Sequence, residues 1–125
     1  MREFEFLLPF PIPSKKNKYR IHQRGTKRWI GKAEDVVNAE VAVGLIAKTA
    51  LPKNLKTPIS VTIWARQSKS RKRLQDGDNL VGVIFDGLVK SGRIPGDSFA
   101  IIPEHHVYFK GRERDEVRVK IVELT

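Results

Sequence analysis

Apolar and polar residues alternate from position 3 to 8, which puts Phe4, Phe6 and Leu8 on one face of a predicted first strand. Pro9, Pro11 and Pro13 end it. Residues 14 to 31 are polar and basic, with Tyr19, Ile21, Trp29 and Ile30 as the sizeable apolar groups. Arg24-Gly25-Thr26 reads as a turn, so a loose hairpin is expected there. The clearest helix runs from about 33 to 50: Glu34 and Asp35 sit near its positive end, Lys48 near its negative end, and no proline interrupts it. Both Val36/Ala39/Val43/Ile46/Ala50 and Val37/Val41/Leu45 are apolar, too many positions for one face. That width suggests cover on two sides, either by the chain's own core or by a second copy.

Residues 59 to 65 alternate again, with Ile59, Val61, Ile63 and Ala65 on one face and Trp64 on the other. A second helix is predicted over about 79 to 91, with Val81, Ile84, Phe85 and Leu88 as its core stripe and Gly92 as its stop. Pro95-Gly96 is a turn signal, and Phe99 to Ile102 reads as a short strand. The last strands are His105 to Phe109 and Val117 to Leu124, joined across Gly111. Strands and helices in this order predict an α+β fold, a mixed β-sheet with two main helices on one face, in a single domain over residues 1–125.

Composition narrows the chemistry. At 40% hydrophobic and 30% charged residues the chain is globular in character, and the absence of cysteine removes disulfides, zinc–thiolate sites and thiol nucleophiles. The longest apolar run, Val41 to Ala47, is far shorter than the roughly 20 residues of a membrane helix, so a cytoplasmic protein with no membrane partner is expected. No nucleotide fingerprint or phosphate-cradling glycine loop points to a small-molecule cofactor.

A net charge of +10 on 125 residues directs attention to polyanions, and the placement of the charges matters more than their sum. Lys15, Lys16, Lys18, Arg20, Arg24, Lys27, Arg28 and Lys32 fall within residues 14–32 with no acid among them. Arg66, Lys69, Arg71, Lys72 and Arg73 repeat the pattern. A merely solvated surface mixes the two signs, whereas segregated runs are suited to phosphate contacts. Tyr19 and Trp29 lie within the first run, where they would either stack on exposed bases or anchor the hairpin to the sheet. His22 reads as a DNA-facing or surface residue. Glu104-His105-His106 does not make a metal site, because neighbouring strand residues point to opposite faces and no other His or Cys cluster accompanies them.

The acids stand out against this background. Asp76 and Asp78 lie two apart before the second helix, and an extended stretch would point both carboxylates the same way, with Gly77 leaving the space between them clear. Paired carboxylates repel unless a cation lies between them, and oxygen ligands of this kind suit Mg²⁺. The alternative is a turn and helix N-cap. Asn79, Gly82, Val83, Asp86 and Lys90 share the helix face opposite the apolar stripe. There Asp86 either supports the site or pairs with Lys90 one turn on. Asp97, after Pro95-Gly96, joins them only if the chain folds it back.

Asp76-x-Asp78-Asn79-Leu80, then Phe85-Asp86-x-Leu88, then Gly96-Asp97, together resemble the core of the RusA-type Holliday-junction resolvases, the crossover junction endodeoxyribonucleases. Leu8-Pro9-Phe10-Pro11-x-Pro13-Ser14, reaching Asn17, is similar to that family's opening, so the resemblance runs from about residue 3 to the final strand. It implies a RusA-like fold and a homodimer. It also implies hydrolysis of phosphodiester bonds in four-way DNA junctions by symmetric nicks, in DNA recombination and repair. Asp76, Asp78 and Asp97 would be the essential Mg²⁺ ligands, with Asn79 and Asp86 supporting. Lys15, Lys16, Lys18, Arg20, Arg24, Lys27, Arg28, Lys69, Arg71, Lys72 and Arg73 would bind DNA.

One position departs from the family pattern. The family usually carries a lysine four residues after the second aspartate, where it stabilises charge on the phosphate; this chain has Gly82. A cation from Lys69, Arg71, Lys72 or Arg73 would have to replace it, or Lys90 from two turns along the helix. Gly82 therefore also raises a second expectation, a catalytically weak or inactive basic DNA-binding protein of the same fold.

Overall fold

A computed structural model describes residues 1–14, 19–25 and 27–125, with side chains throughout except in the hairpin strands. The strands are β1 (Glu3–Leu8), β2 (Tyr19–Arg24), β3 (Lys27–Lys32), β4 (Ile59–Arg66), β5 (Glu104–Gly111) and β6 (Glu116–Glu123). Two helices, α1 (Glu34–Ala50) and α2 (Gly77–Lys90), interrupt them. The fold is α+β: a mixed four-stranded sheet with two helices, plus a separate two-stranded hairpin.

Alternation places one row of side chains from every strand of the main sheet on the same side. The order is β1-β6-β4-β5, antiparallel except for the parallel β4–β5 pair. Phe6 opposes Val119, Val119 opposes Ile63, and Ile63 opposes Val107. Val119 and Ile63 are wholly buried, and the helices supply the other half of the core through Val36, Val43, Ala47, Val83, Ile84 and Leu88. On the opposite side of the sheet Trp64 and Tyr108 oppose one another in register, their rings stacked 6.3 Å apart.

The two helices touch where neither has a side chain to spare. A Cβ placed on Gly87 would lie 2.5 Å from the Val43 Cβ, and one on Gly44 would lie 3.1 Å from the Gly87 carbonyl oxygen. Nearby, Lys90 Nζ is 3.0 Å from the fully buried Glu40 carboxylate. Arg93 donates to the carbonyls of Lys48 and Leu51, satisfying the end of α1 where Pro52 prevents its continuation. Gly92, at φ 77°, ends α2 in the left-handed conformation that glycine adopts without steric cost. The termini are held by a second buried acid: Glu123 accepts two 2.7 Å bonds from the Arg2 guanidinium and one of 2.8 Å from the Lys56 amide.

Four expectations need correction. Phe99 to Ile102 is a turn and not a strand: the amides of Ile101 and Ile102 both donate to the Ser98 carbonyl, burying Ile102 and leaving Phe99 87% exposed. The helix expected from 79 begins at Gly77. Val83, placed opposite the core stripe, is fully buried, because α2 packs on the sheet with one flank and on α1 with another. The second apolar face of α1 is not core: Val41 is 46% and Leu45 63% exposed. Among the described residues, no helix is long and apolar enough to cross a membrane.

Candidate functional site

The head of α2 is presented by a loop that the fold holds at both ends. Gln67, just after β4, donates from Nε2 to Gln75 Oε1 at 3.0 Å, while its own Oε1 accepts from the Gln75 amide at 2.8 Å. Gln75 Nε2 in turn donates to the Pro13 carbonyl, 3.1 Å away. From the other side Arg112 reaches across the bend after β5 and donates to the carbonyls of Gln67, Ser68 and Arg71. Asp115 accepts from the Ser68 amide at 3.1 Å. Fixed donors thus satisfy the backbone of a segment that would otherwise be a free basic loop.

This bracing separates the loop's cations into two kinds. Arg71 is only partly available, since its guanidinium donates to the Ile12 carbonyl at 2.9 Å. Arg66 belongs to the sheet, with Glu113 at 3.4 Å and Glu116 at 3.6 Å. Lys69, Lys72 and Arg73 are exposed, and no hydrogen bond or ion pair engages their side chains among the described residues. Two adjoining clefts lie beside this loop, and of these three cations Arg73 lines one of them. One of about 720 Å³ lies between Phe10, Pro11 and Pro13 and the α1 residues Asn38 and Ala42. The other, about 370 Å³, is lined by Arg73, Gln75, Asp76 and Asn79, and both include Ser14 and Arg71. The groove therefore leads from the proline-rich segment to the first carboxylate.

Asp76 occupies the N-cap position of α2, yet its side chain makes no capping bond; only its backbone carbonyl accepts, from the Asn79 and Leu80 amides. Asp78 is in the first helical turn. Both are exposed, and among the described residues no hydrogen bond or ion pair engages either carboxylate. The helix dipole accounts for acids at this end, but not for leaving an N-cap aspartate unused. The early start of α2 also removes the expected alternation, because helical neighbours turn by about 100° rather than 180°. Beneath the pair, a Cβ on Gly77 would stand 3.9 Å from Val107 Cγ1 in β5, so the helix head rests on that strand.

Asp97 is exposed on the loop between the buried anchors Ile94 and Ile102. Among the described residues, no three of the His, Cys, Asp and Glu side chains are grouped closely enough to hold a metal ion. The donor chemistry of the pair fits a hard cation: oxygen only, open to water, and beside unpaired basic residues. Asn79 lines the smaller cleft, whereas Asp86 lies farther along α2, half-buried and engaged. Lys90 is committed to Glu40 and is not a replacement for the cation that Gly82 lacks.

No protein-family model matches the chain, and no curated protein matches it. Of the residues expected to bind DNA, Lys15, Lys16 and Lys18 lie outside the described residues. Arg20, Arg24, Lys27 and Arg28 are described through the hairpin register, which pairs Arg24 with Lys27 around Gly25. The stacking roles considered for Tyr19 and Trp29, and the surface role of His22, fall on side chains outside that description. Sequence inspection passed over Gln67, Gln75, Arg112 and Asp115. The one available signal was two glutamines bracketing an otherwise basic run.

Proposed function

We propose that this chain is a Mg²⁺-dependent, structure-selective endodeoxyribonuclease of the RusA type, acting as a homodimer on four-way DNA junctions. The observation that carries it is the pair of exposed, unengaged carboxylates at the head of α2: Asp76, at the end of a groove that Arg73 also lines, and Asp78 in the first helical turn. Repelling acids left without partners in a basic surface are suited to a divalent cation and a phosphate together. Asp76 and Asp78 would hold the ion, and Asp97 would join them through movement of its loop. Bound there, Mg²⁺ would polarise the scissile phosphate and lower the pKa of an attacking water. Arg73 in the groove, with Lys69 and Lys72 on the same loop, would orient the strand by its phosphates, and Asn79 would offer it a side-chain amide from the cleft. The braced loop keeps these groups at fixed spacing from the helix head. Two opposed nicks require two such sites, hence two copies.

Gly82, in place of the family's lysine, favours the second reading, a DNA-binding protein of this fold with little or no turnover. Incubation with a synthetic four-way junction, with and without Mg²⁺, separates the two. Metal-dependent release of nicked duplexes supports the nuclease; tight junction binding with intact strands supports the binding protein. Equal competition by linear duplex would remove junction selectivity from either.

A further inference from the structure

The main sheet ends on β5, whose outer edge pairs with no strand among the described residues. An unpaired edge offers a row of amides and carbonyls to any compatible chain, and proteins usually blunt it with charge or proline. The opposite edge, β1, is blunted in this way: Glu3 and Glu5 lie on it, held toward Lys120 and Arg118, and Pro9 follows. On β5 the charges Glu104 and Lys110 lie toward the ends and Pro103 precedes the strand, while its middle, residues 105–109, reads His-His-Val-Tyr-Phe with neither proline nor a fixed charge. Tyr108 and Phe109 on this strand are 49% and 52% exposed.

We infer that β5 is the edge along which two copies of this chain pair, antiparallel about a two-fold axis at Val107, joining their sheets into one of eight strands. Opposed residues in an antiparallel pair lie on the same face, so self-pairing requires opposed positions of equal parity. The register centred on Val107 meets that condition and spans the strand from Glu104 to Lys110. It sets Glu104 against Lys110 of the second copy, a favourable charge pair repeated at both ends. His106 meets Tyr108 on the open face, extending the Trp64–Tyr108 stack, and His105 meets Phe109 on the helix face. The irregularity where Ala65 pairs with Phe109 but Arg66 with Gly111 leaves Lys110 without a partner on β4, at the end of the regular stretch. Centring on His106 shortens the pairing, centring on Tyr108 keeps its length, and both lose the Glu–Lys match.

This inference rests on the two-copy state proposed above and adds its surface. It selects β5 over the exposed Val41/Leu45 face of α1. Because Gly77 rests on Val107, it would also bring the two Asp76/Asp78 pairs to either side of the axis.

The test is independent of cleavage. In sedimentation equilibrium the wild-type chain should be dimeric, and Glu104→Lys or Lys110→Glu should each raise the dimer dissociation constant by roughly five- to fifty-fold. The double exchange should return it to within about twofold. The chain has no native cysteine, so Val107→Cys should give a covalent dimer on mild oxidation, because opposed Cβ atoms come close to disulfide range; Leu45→Cys should not. Thermal melts confirm that each variant folds, and the exchange series decides if the Val107 variant does not. A monomeric wild-type chain, single exchanges without effect, or cross-linking through Leu45 and not Val107 would each overturn the inference.

Discussion

The Gln67 side chain spans the base of the basic loop to Gln75, donating to its side-chain Oε1 at 3.0 Å and accepting from its backbone amide at 2.8 Å. Gln67 is buried, so it has little water to fall back on. Replacing Gln75 with Ala strands Gln67 Nε2 and releases the Pro13 carbonyl, while the backbone bond to Gln67 Oε1 remains. The expected cost is about 1–2 kcal/mol, read as a lower urea midpoint. Junction affinity should fall more than it does for an exposed control such as Lys53→Ala, because the loop loses its fixed geometry.

Removing Lys69, Lys72 and Arg73 together should leave the melting temperature nearly unchanged, since no hydrogen bond or ion pair engages them among the described residues. Binding to DNA should become less salt-sensitive. The slope of log affinity against log salt should flatten by about 0.9 for each lost phosphate contact. An unchanged slope would show that these cations do not face the DNA.

The helix crossing makes a specific demand on size. Gly87→Ala should destabilise the protein by roughly 1–3 kcal/mol, because the added methyl would lie 2.5 Å from the Val43 Cβ and must push α1 away. Val43→Ala leaves that Cβ in place, so it should not restore the loss. Val43→Gly removes it, and the Gly87→Ala/Val43→Gly pair should be less destabilised than the sum of the single changes in a double-mutant cycle.

Glu123 sets an acid limit. The Arg2 guanidinium, followed by the Lys56 amide, lowers its pKa from an ordinary 4.5 to about 2. The folded carboxylate therefore stays ionised where the unfolded one takes up a proton. Its contribution is complete above about 4.5 and is lost as pH falls toward 2. Urea midpoints measured from pH 6 down to 2 should drop through that window. Glu123→Gln should be less stable at pH 6 and flatter below 4.5.

Much of this fold is written in periodicity. Alternation at Phe4/Phe6/Leu8 and Ile59/Val61/Ile63 yielded strands, and the α1 and α2 stripes yielded helices, because burial on one face leaves that mark. The failures have physical causes. Phe99–Ile102 has a strand's composition, yet the Ser98 carbonyl closes it into a turn. The exposed Val41/Leu45 face looks like core because periodicity does not say whether the cover is the same chain. Asp76 and Asp78 were visible as a pair, but their directions depended on where α2 begins, a difference of two residues. Gln67, Gln75 and Arg112 were invisible because they act between segments distant in sequence.

The central claim is that Asp76 and Asp78 hold a metal that cuts junction DNA, and single-turnover cleavage of a four-way junction in Mg²⁺ tests it most directly. Asp76→Asn and Asp78→Asn should each lower the cleavage rate by at least about a hundredfold, the scale expected on losing an electrostatic contact to the transition state. Junction affinity in the absence of metal should hold or rise, as each change removes a negative charge beside the phosphates. Cleavage that survives both substitutions, or a wild-type chain that binds the junction and leaves every strand intact, would contradict it.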